Sequence, residues 1–265
     1  MGPMLELEFA EATDRGPVRE HNEDFVGHSL PPDAQQARAR GWLFALADGV
    51  GGQDKGEVAS QMTVDTMLTE YGRTAPATET PALRLTRAVQ AANTAVYEAA
   101  HGGIASTLVA CALRYDRATI AHVGDSRAYL IRNGHAQRLT RDHTVAGEQV
   151  RIGLFTEQQA RRSPAASTLT RSIGINLFVS PEISEHSLRP NDLLLLCSDG
   201  LHGAIGDAEI ARTLAATPRL QEAALRLISV ANQSDGGDNV SVQLIRVKSV
   251  EAVGMYRGRP YRLHA

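Results

Sequence analysis

Cysteine is scarce in this chain: of 265 residues, only Cys111 and Cys197 are cysteines. Each lies in an apolar run, LVACAL and DLLLLCSD, where a small hydrophobe serves equally well, so two buried thiols are expected rather than a disulfide framework or a cysteine metal cage. Aromatics are also few, at 5% with a single tryptophan. An excess of positive charge is missing too, since the net charge is -3, and this removes the electrostatic reason to expect a nucleic-acid or anionic-membrane partner. The uninterrupted apolar runs are only a few residues long, far below the ~20 needed to span a bilayer. The start, MGPMLELEFAEATD, has no basic region followed by an apolar stretch, so the expectation is no signal peptide and a cytoplasmic protein.

What is present is an ordinary globular composition, 43% hydrophobic and 22% charged, with no internal repeat and no low-complexity segment. Alternation over Leu5–Thr13 reads as a half-buried strand, followed by a strand at Phe25–His28. After the loop PPDAQQARARG, the run WLFALAD reads as a buried strand that delivers Asp48 at its end. Helical patterns follow at Glu57–Tyr71 and Ala82–Ala100, the second with Pro81 suited to a first turn. From Thr107 to Leu139 the pattern is a meander of short strands, with turn signals at Asp116-Arg117 and Asn133-Gly134. Thr144–Arg162 reads as helical with a break at Gly153. Strands are expected at Ile183–Leu188, Asp192–Cys197 and Asn239–Val247, with helices at Asp207–Ala216 and Leu220–Gln233. Strand runs interrupted by paired helices, without βαβ alternation, imply an α+β fold: two antiparallel β-sheets packed as a central sandwich, with α-helices on both outer faces.

Four aspartates stand at the ends of apolar strands beside glycine: Asp48, Asp125, Asp199 and Asp238. One such Asp-Gly is a turn signal, but four converging strand ends would crowd carboxylates into one volume, where they cannot all ionise without cations. Oxygen donors without a Cys/His cluster suit Mg²⁺ or Mn²⁺ rather than zinc. Two such cations can hold and activate a water in line with a phosphorus atom, and Arg19 in DRGPVREHNED is a candidate for bidentate phosphate binding. The nine histidines show no HxxxH or CxxC partner spacing, so most are expected at surface or turn positions, with His143 structural. Ser126, Ser198 and Ser241 lie near these aspartates but in no Ser/His/Asp order that supports a nucleophile.

Eight pieces, in order, carry a family resemblance: TDRGPVREHNED at 13–24, ADGVGG at 47–52, GEVAS at 56–60, HVGDSRAY at 122–129, LTRDHT at 139–144, LTRSIG at 169–174, CSDGL at 197–201 and GDNVS at 237–241. The sequence resembles the PPM family, the type-2C protein Ser/Thr phosphatases, in its bacterial form. The resemblance implies hydrolysis of phosphoserine and phosphothreonine in proteins by water or hydroxide bridging two Mn²⁺ or Mg²⁺ ions. It implies that Asp48 bridges the metals, Gly49 offers its carbonyl to one, and Asp199 and Asp238 complete the other. Glu23 and Asp24 would act in the outer sphere, Arg19 would bind phosphate, and Asp125 with Asp199 would support a weaker third metal. It further implies one catalytic domain over residues 1–248 with a flap at about 149–170, a tail at 249–265, and a phosphatase that opposes a Ser/Thr kinase, with a phosphorylated protein, the kinase or its targets, as partner. Arg161, Arg162 and Arg171, in and beside the flap, are candidates to meet a phosphopeptide or to form a solvated face. Two departures stand out: Val50 replaces the histidine of animal-type relatives, and Ala105-Ser106-Thr107 replaces Gly-Thr-Thr. The competing reading is a noncatalytic sensor or scaffold that binds a phosphoprotein; a two-metal nuclease is disfavoured by the acidic balance. The basic, aromatic tail is compatible with an extra strand, a docking segment or a loose end.

Overall fold

A computed structural model of the chain describes residues 4–50, 55–73, 79–256 and 259–262, the backbone alone from 254 onward. Gly51 and Gly52, most of the loop 73–81, and Arg257 and His264 lie outside the described residues. Strands β1 (Glu6–Asp14) and β2 (Asp24–Ser29) lead through α1 (Ala34–Ala39) to β3 (Trp42–Val50). Helices α2 (Lys55–Gly72) and α3 (Pro81–Ala100) follow, then β4 (Ala105–Ser106), β5 (Leu108–Arg114), β6 (Arg117–Val123), β7 (Arg127–Arg132) and β8 (His135–Arg138). Short helices α4 (Val145–Arg151) and α5 (Glu157–Arg161) precede β9 (Glu182–Ser187) and β10 (Leu193–Cys197). The chain then forms α6 (Asp199–Ala204), α7 (Asp207–Ala216), α8 (Leu220–Ser234) and β11 (Val240–Ser249), and closes with the strand pair β12 (Val253–Tyr256) and β13 (Arg259–Arg262).

Two antiparallel sheets form, ordered β1-β11-β10-β7-β8 and β2-β3-β5-β6-β9, with β4 attached to β3. The apolar run of β3 divides by alternation. Phe44 and Leu46 enter the core between the sheets with Ile120, Leu130, Leu194 and Ile245, whereas Leu43, Ala45 and Ala47 pack outward on α2 and α3 against Val64, Met67 and Leu85. In the same way Leu194 and Leu196 face the inner core while Leu193, Leu195 and Cys197 face α7 and α8. A strand with helices on one face and a sheet on the other has no polar side, which is why these runs are continuously apolar rather than alternating. Both cysteines are free and buried.

Helix α3 begins where Thr80 caps it by accepting a hydrogen bond from Leu83 N (3.2 Å), with Pro81 in the first turn. The loop expected at residues 31–41 contains α1, because Asp33 accepts from Gln36 N (2.7 Å) and an Ala/Gln-rich stretch follows that cap. Asn133 and Gly134 both adopt positive φ (52° and 77°), as a two-residue turn joining β7 to β8 demands. Three histidines depart from the surface or turn positions expected of most. His122, His143 and His202 are buried: strand β6 carries His122 and helix α6 carries His202 into the interior, and backbone groups of Gly124 and Asp125 bond ring nitrogens of His143 and His202.

Candidate active site

At one end of the sandwich the two sheets' strand termini meet. Asp48 lies near the end of β3 directly opposite Asp24, the first residue of β2. Asp125 sits in the tight connection from β6 to β7, Asp199 opens α6 immediately after β10, and Asp238 precedes β11. A cavity of about 430 Å³ is lined by Arg19, Glu23, Asp48, Gly49, Asp125, Asp199 and Asp238. Asp24 alone of the predicted site residues lies behind this lining, buried beneath Asp48, where its Oδ2 accepts from Ser198 Oγ at 2.7 Å.

The backbone of Asp48 is clamped. Its N–H donates to Thr107 Oγ1 (2.9 Å), and its carbonyl accepts from Thr107 N (2.8 Å) and Ser106 Oγ (3.0 Å). The Ala-Ser-Thr departure thus lies on the clamp itself. A polar ring ties the two sheets together below the cavity: Asn22 donates to Thr13, Thr13 bonds Ser241, Ser241 N donates to Ser198 Oγ, Ser198 donates to Asp24, and Asp24 N returns to Asn22. Ser198 and Ser241 are therefore scaffold, and Ser126 joins the Asp48 clamp by bonding Thr107 Oγ1 at 2.6 Å. Asn239, quoted in a motif but given no role by sequence reasoning, accepts from Glu23 N (2.8 Å) and donates to the carbonyls of Arg15 and His21 (2.9 Å each). It holds the loop that carries Arg19. Arg19 itself lies over Asp238, donating to Asp238 Oδ2 at 3.0 Å and to Gly237 O at 3.2 Å, with its side chain 48% exposed.

The electrostatics are those of crowded carboxylates. Burial, then the charges of Asp199, Asp24 and Asp125, push Asp48 well above the ordinary carboxylate range, and burial with the charge of Asp238 raises Asp199. Burial and the neighbouring Asp199 raise Asp125 likewise. Asp24 is raised to about 7 by burial against the opposing hydrogen bonds of Ser198 and Ser241. One oxygen each of Asp24 and Asp199 is buried without a hydrogen-bond partner. Among the described residues no group of three His, Cys, Asp or Glu side chains is gathered tightly enough to hold a metal by itself. Repelling carboxylates, orphaned oxygens and an open cavity fit hard divalent cations of the Mg²⁺ class, which keep several waters and take only part of their ligands from protein.

Beside the cavity, Arg127 donates bidentately to Asp142 (2.8 and 2.5 Å). Burial alone would raise Asp142, but this pair outweighs it and brings it down to about 2. His202 Nε2 donates to the Asp125 carbonyl at 2.9 Å, which sets its tautomer because a carbonyl only accepts. His143 Nδ1 accepts from Gly124 N at 3.2 Å, supporting the structural duty expected of it. Arg127, Asp142 and His143 fall inside the motifs HVGDSRAY and LTRDHT, but sequence spacing could not reveal them, or His202 in α6, as site supports.

Burial lowers His122 and His202 to about 3, with His143 adding to the first shift and Arg127 to the second. Their folded pKa lies below the unfolded value, so their neutral burial adds stability above about pH 6.5 that is lost as pH falls toward 3. In His202→Gln, which retains a donor toward Asp125, the acid-side slope of unfolding free energy should flatten by up to about 1.4 kcal/mol per pH unit. Urea titrations between pH 4 and 6.5 measure it, and an unchanged slope contradicts the assignment.

A family model described as Protein phosphatase 2C matches residues 12–240. The chain belongs to that family. This 2C chain is 33% identical over 240 residues to a serine/threonine phosphatase stp of Listeria innocua, covering 88% of the chain and 93% of that relative. It is 37% identical over 243 residues to the serine/threonine protein phosphatase PstP of Mycobacterium tuberculosis, covering 90% of the chain and 44% of PstP. Among solved structures, the catalytic domain of PstP in complex with two manganese ions superposes with a TM-score of 0.80 at 32% identity, over 93% of this chain and 100% of that one. The sandwich expected from sequence is the fold these relatives share. No helix among the described residues is long and apolar enough to cross a membrane.

Proposed function

We propose that this 2C chain is a metal-dependent protein phosphatase that hydrolyses phosphoserine and phosphothreonine in proteins, in the cytoplasm and in opposition to a Ser/Thr kinase. The observation that carries the reading is the convergence of Asp48, Asp125, Asp199 and Asp238 on one cavity that also bears Arg19. Asp48, Asp199, Asp238 and the Gly49 carbonyl would hold two core cations, Mn²⁺ or Mg²⁺, with Asp125 and Asp199 toward a weaker third. When bound, these cations supply a water of lowered pKa and offset the charge of the phosphoryl group. Arg19 turns from Asp238 to the phosphate and orients it by a planar two-point contact. Glu23 faces the cavity as a hydrogen-bonding partner for water, while Asp24 supports Asp48 from below. Val50 is 43% exposed and carries no proton, and among the described lining residues there is no histidine, which leaves protonation of the leaving alkoxide to water. The domain spans 1–248, with 149–170 as a flap over the cavity and 249–265 as an appended tail.

Chelator-treated protein given a phosphothreonine peptide and graded Mn²⁺ or Mg²⁺ tests this reading. Release of phosphate that depends on the cation supports the enzyme. Peptide binding without turnover at every concentration would instead favour the scaffold reading. Arg19→Lys, which keeps the charge but loses the fork, should lower kcat/KM by about ten- to a hundredfold. A loss of less than about twofold would separate Arg19 from the phosphate.

A further inference from the structure

The segment after Ile173 runs without regular secondary structure, yet it is fastened along its length. Asn93 Oδ1 accepts from Gly174 N (2.9 Å), while Asn93 Nδ2 donates to the carbonyls of Asn176 (2.8 Å) and Leu177 (3.1 Å). One turn earlier on α3, Gln90 Nε2 donates to Leu177 O (3.0 Å) and Gln90 Oε1 accepts from Val179 N (3.4 Å). Gly174, at φ +91°, lies so close to the helix that a Cβ there would come 2.3 Å from Val96 Cγ1. The loop is built and pinned from within.

Apart from the exposed Asn176, what it presents outward is apolar: Ile175 is 44% exposed, Leu177 49% and Phe178 76%. Single exposed hydrophobes are ordinary, but three within four positions on a fastened loop form a patch that marks a contact surface. The patch is continuous with the catalytic cavity, because Ile175 lines that cavity together with Val50 and Leu169. Its occupant must therefore share the cavity mouth with the phosphorylated residue. Three residues of chain span at most about 10 Å, so two or three residues of an extended substrate would cross the whole patch.

We propose that the loop 174–179 is a substrate-docking platform, selecting phosphoproteins that carry apolar side chains immediately beside the phosphorylated residue. This rests on the phosphatase reading above. The pinning hydrogen bonds matter energetically because a surface already held in its binding shape has no ordering cost to meet when substrate arrives. Ile175 begins the contact inside the cavity wall, and Leu177 with Phe178 extends it.

Two phosphothreonine peptides test the platform, identical except that the two residues on each side of the phosphothreonine are Leu and Phe in one and Ser in the other. Each kcat/KM is divided by the same protein's rate on p-nitrophenyl phosphate, which has no flanking residues. The apolar peptide should be preferred by about tenfold, the scale of burying part of two apolar side chains. The double variant Leu177→Ser with Phe178→Ser should bring the ratio near one, and Gln90→Ala should lower it with every apolar side chain kept. A wild-type ratio near one, or a ratio retained in the double variant, overturns the platform. The ratio of peptide Kd values, read by fluorescence anisotropy, separates the two claims: preference without turnover sinks the phosphatase reading and leaves the platform standing. If sedimentation shows a wild-type dimer that the double variant abolishes while the ratio is unchanged, the patch is a self-association surface and the proposal fails.

Discussion

Asp199→Asn is expected to lower Mn²⁺-dependent hydrolysis of p-nitrophenyl phosphate by at least about a thousandfold, the scale on which preorganised electrostatics is lost from a transition state. The same change should make the metal-free protein more stable at pH 8. Asp199 is raised by burial and by the charge of Asp238. A carboxyl whose folded pKa exceeds its unfolded value lends stability that is complete below the unfolded pKa and disappears as pH rises through the folded one. Asparagine has the same shape and no charge to repel Asp48 or Asp238. With chelator present, wild type and variant should therefore unfold at similar temperatures near pH 4 and diverge above pH 7, the variant being higher. Activity within tenfold of wild type would remove Asp199 from the chemistry. A lower midpoint for the variant at pH 8 would show that carboxylate repulsion is not what strains the metal-free site.

Gly49→Ala should be nearly as damaging, through packing rather than charge. A Cβ on Gly49 would stand 2.1 Å from the carbonyl oxygen of Gly56, 2.3 Å from its carbon and 2.7 Å from its Cα. All three are backbone atoms of α2, which cannot swing aside as a side chain tip would. Gly49 N also donates to Glu23 O at 3.0 Å, so β3 cannot retreat without breaking its tie to the residue that leads into β2. The expected cost is about 3 kcal/mol or more, a midpoint lower by roughly ten degrees, and loss of turnover as Asp48 shifts with its neighbour. Gly134→Ala is the control. Nothing lies within 4 Å of its would-be Cβ, so only the strain of its φ of +77° remains, about 1–2 kcal/mol. Equal midpoints for the two variants would mean that the contact between Gly49 and Gly56 is not tight.

Much of the chain could be read before any coordinates, for reasons specific to its residues. WLFALAD could be placed as a buried strand because a strand covered on both faces must be apolar throughout, and Asp48 was conspicuous because a carboxylate at the end of such a run has no packing purpose. Asp125, Asp199 and Asp238 share that position at strand ends. The capped helix α1 inside an expected loop is a different case, since its six residues are too few for a periodicity to show and only the Asp33 cap reveals it.

Sequence alone determined the fold class, the family and the set of carboxylates, because periodicity and motif order are properties of neighbours along the chain. Only the tertiary structure decided that Asp24 lies under the cavity while Glu23 faces it, since adjacent residues of an extended segment point to opposite sides and the choice depends on what each side meets. It also decided that Ser198, Ser241 and Asn239 are scaffold, that His122, His143 and His202 are interior, and that an apolar loop stands at the cavity's mouth. Those facts depend on contacts between positions such as Asp24 and Ser198, |i−j| = 174. Contacts at that separation are set by how two sheets pack, and no local pattern encodes them.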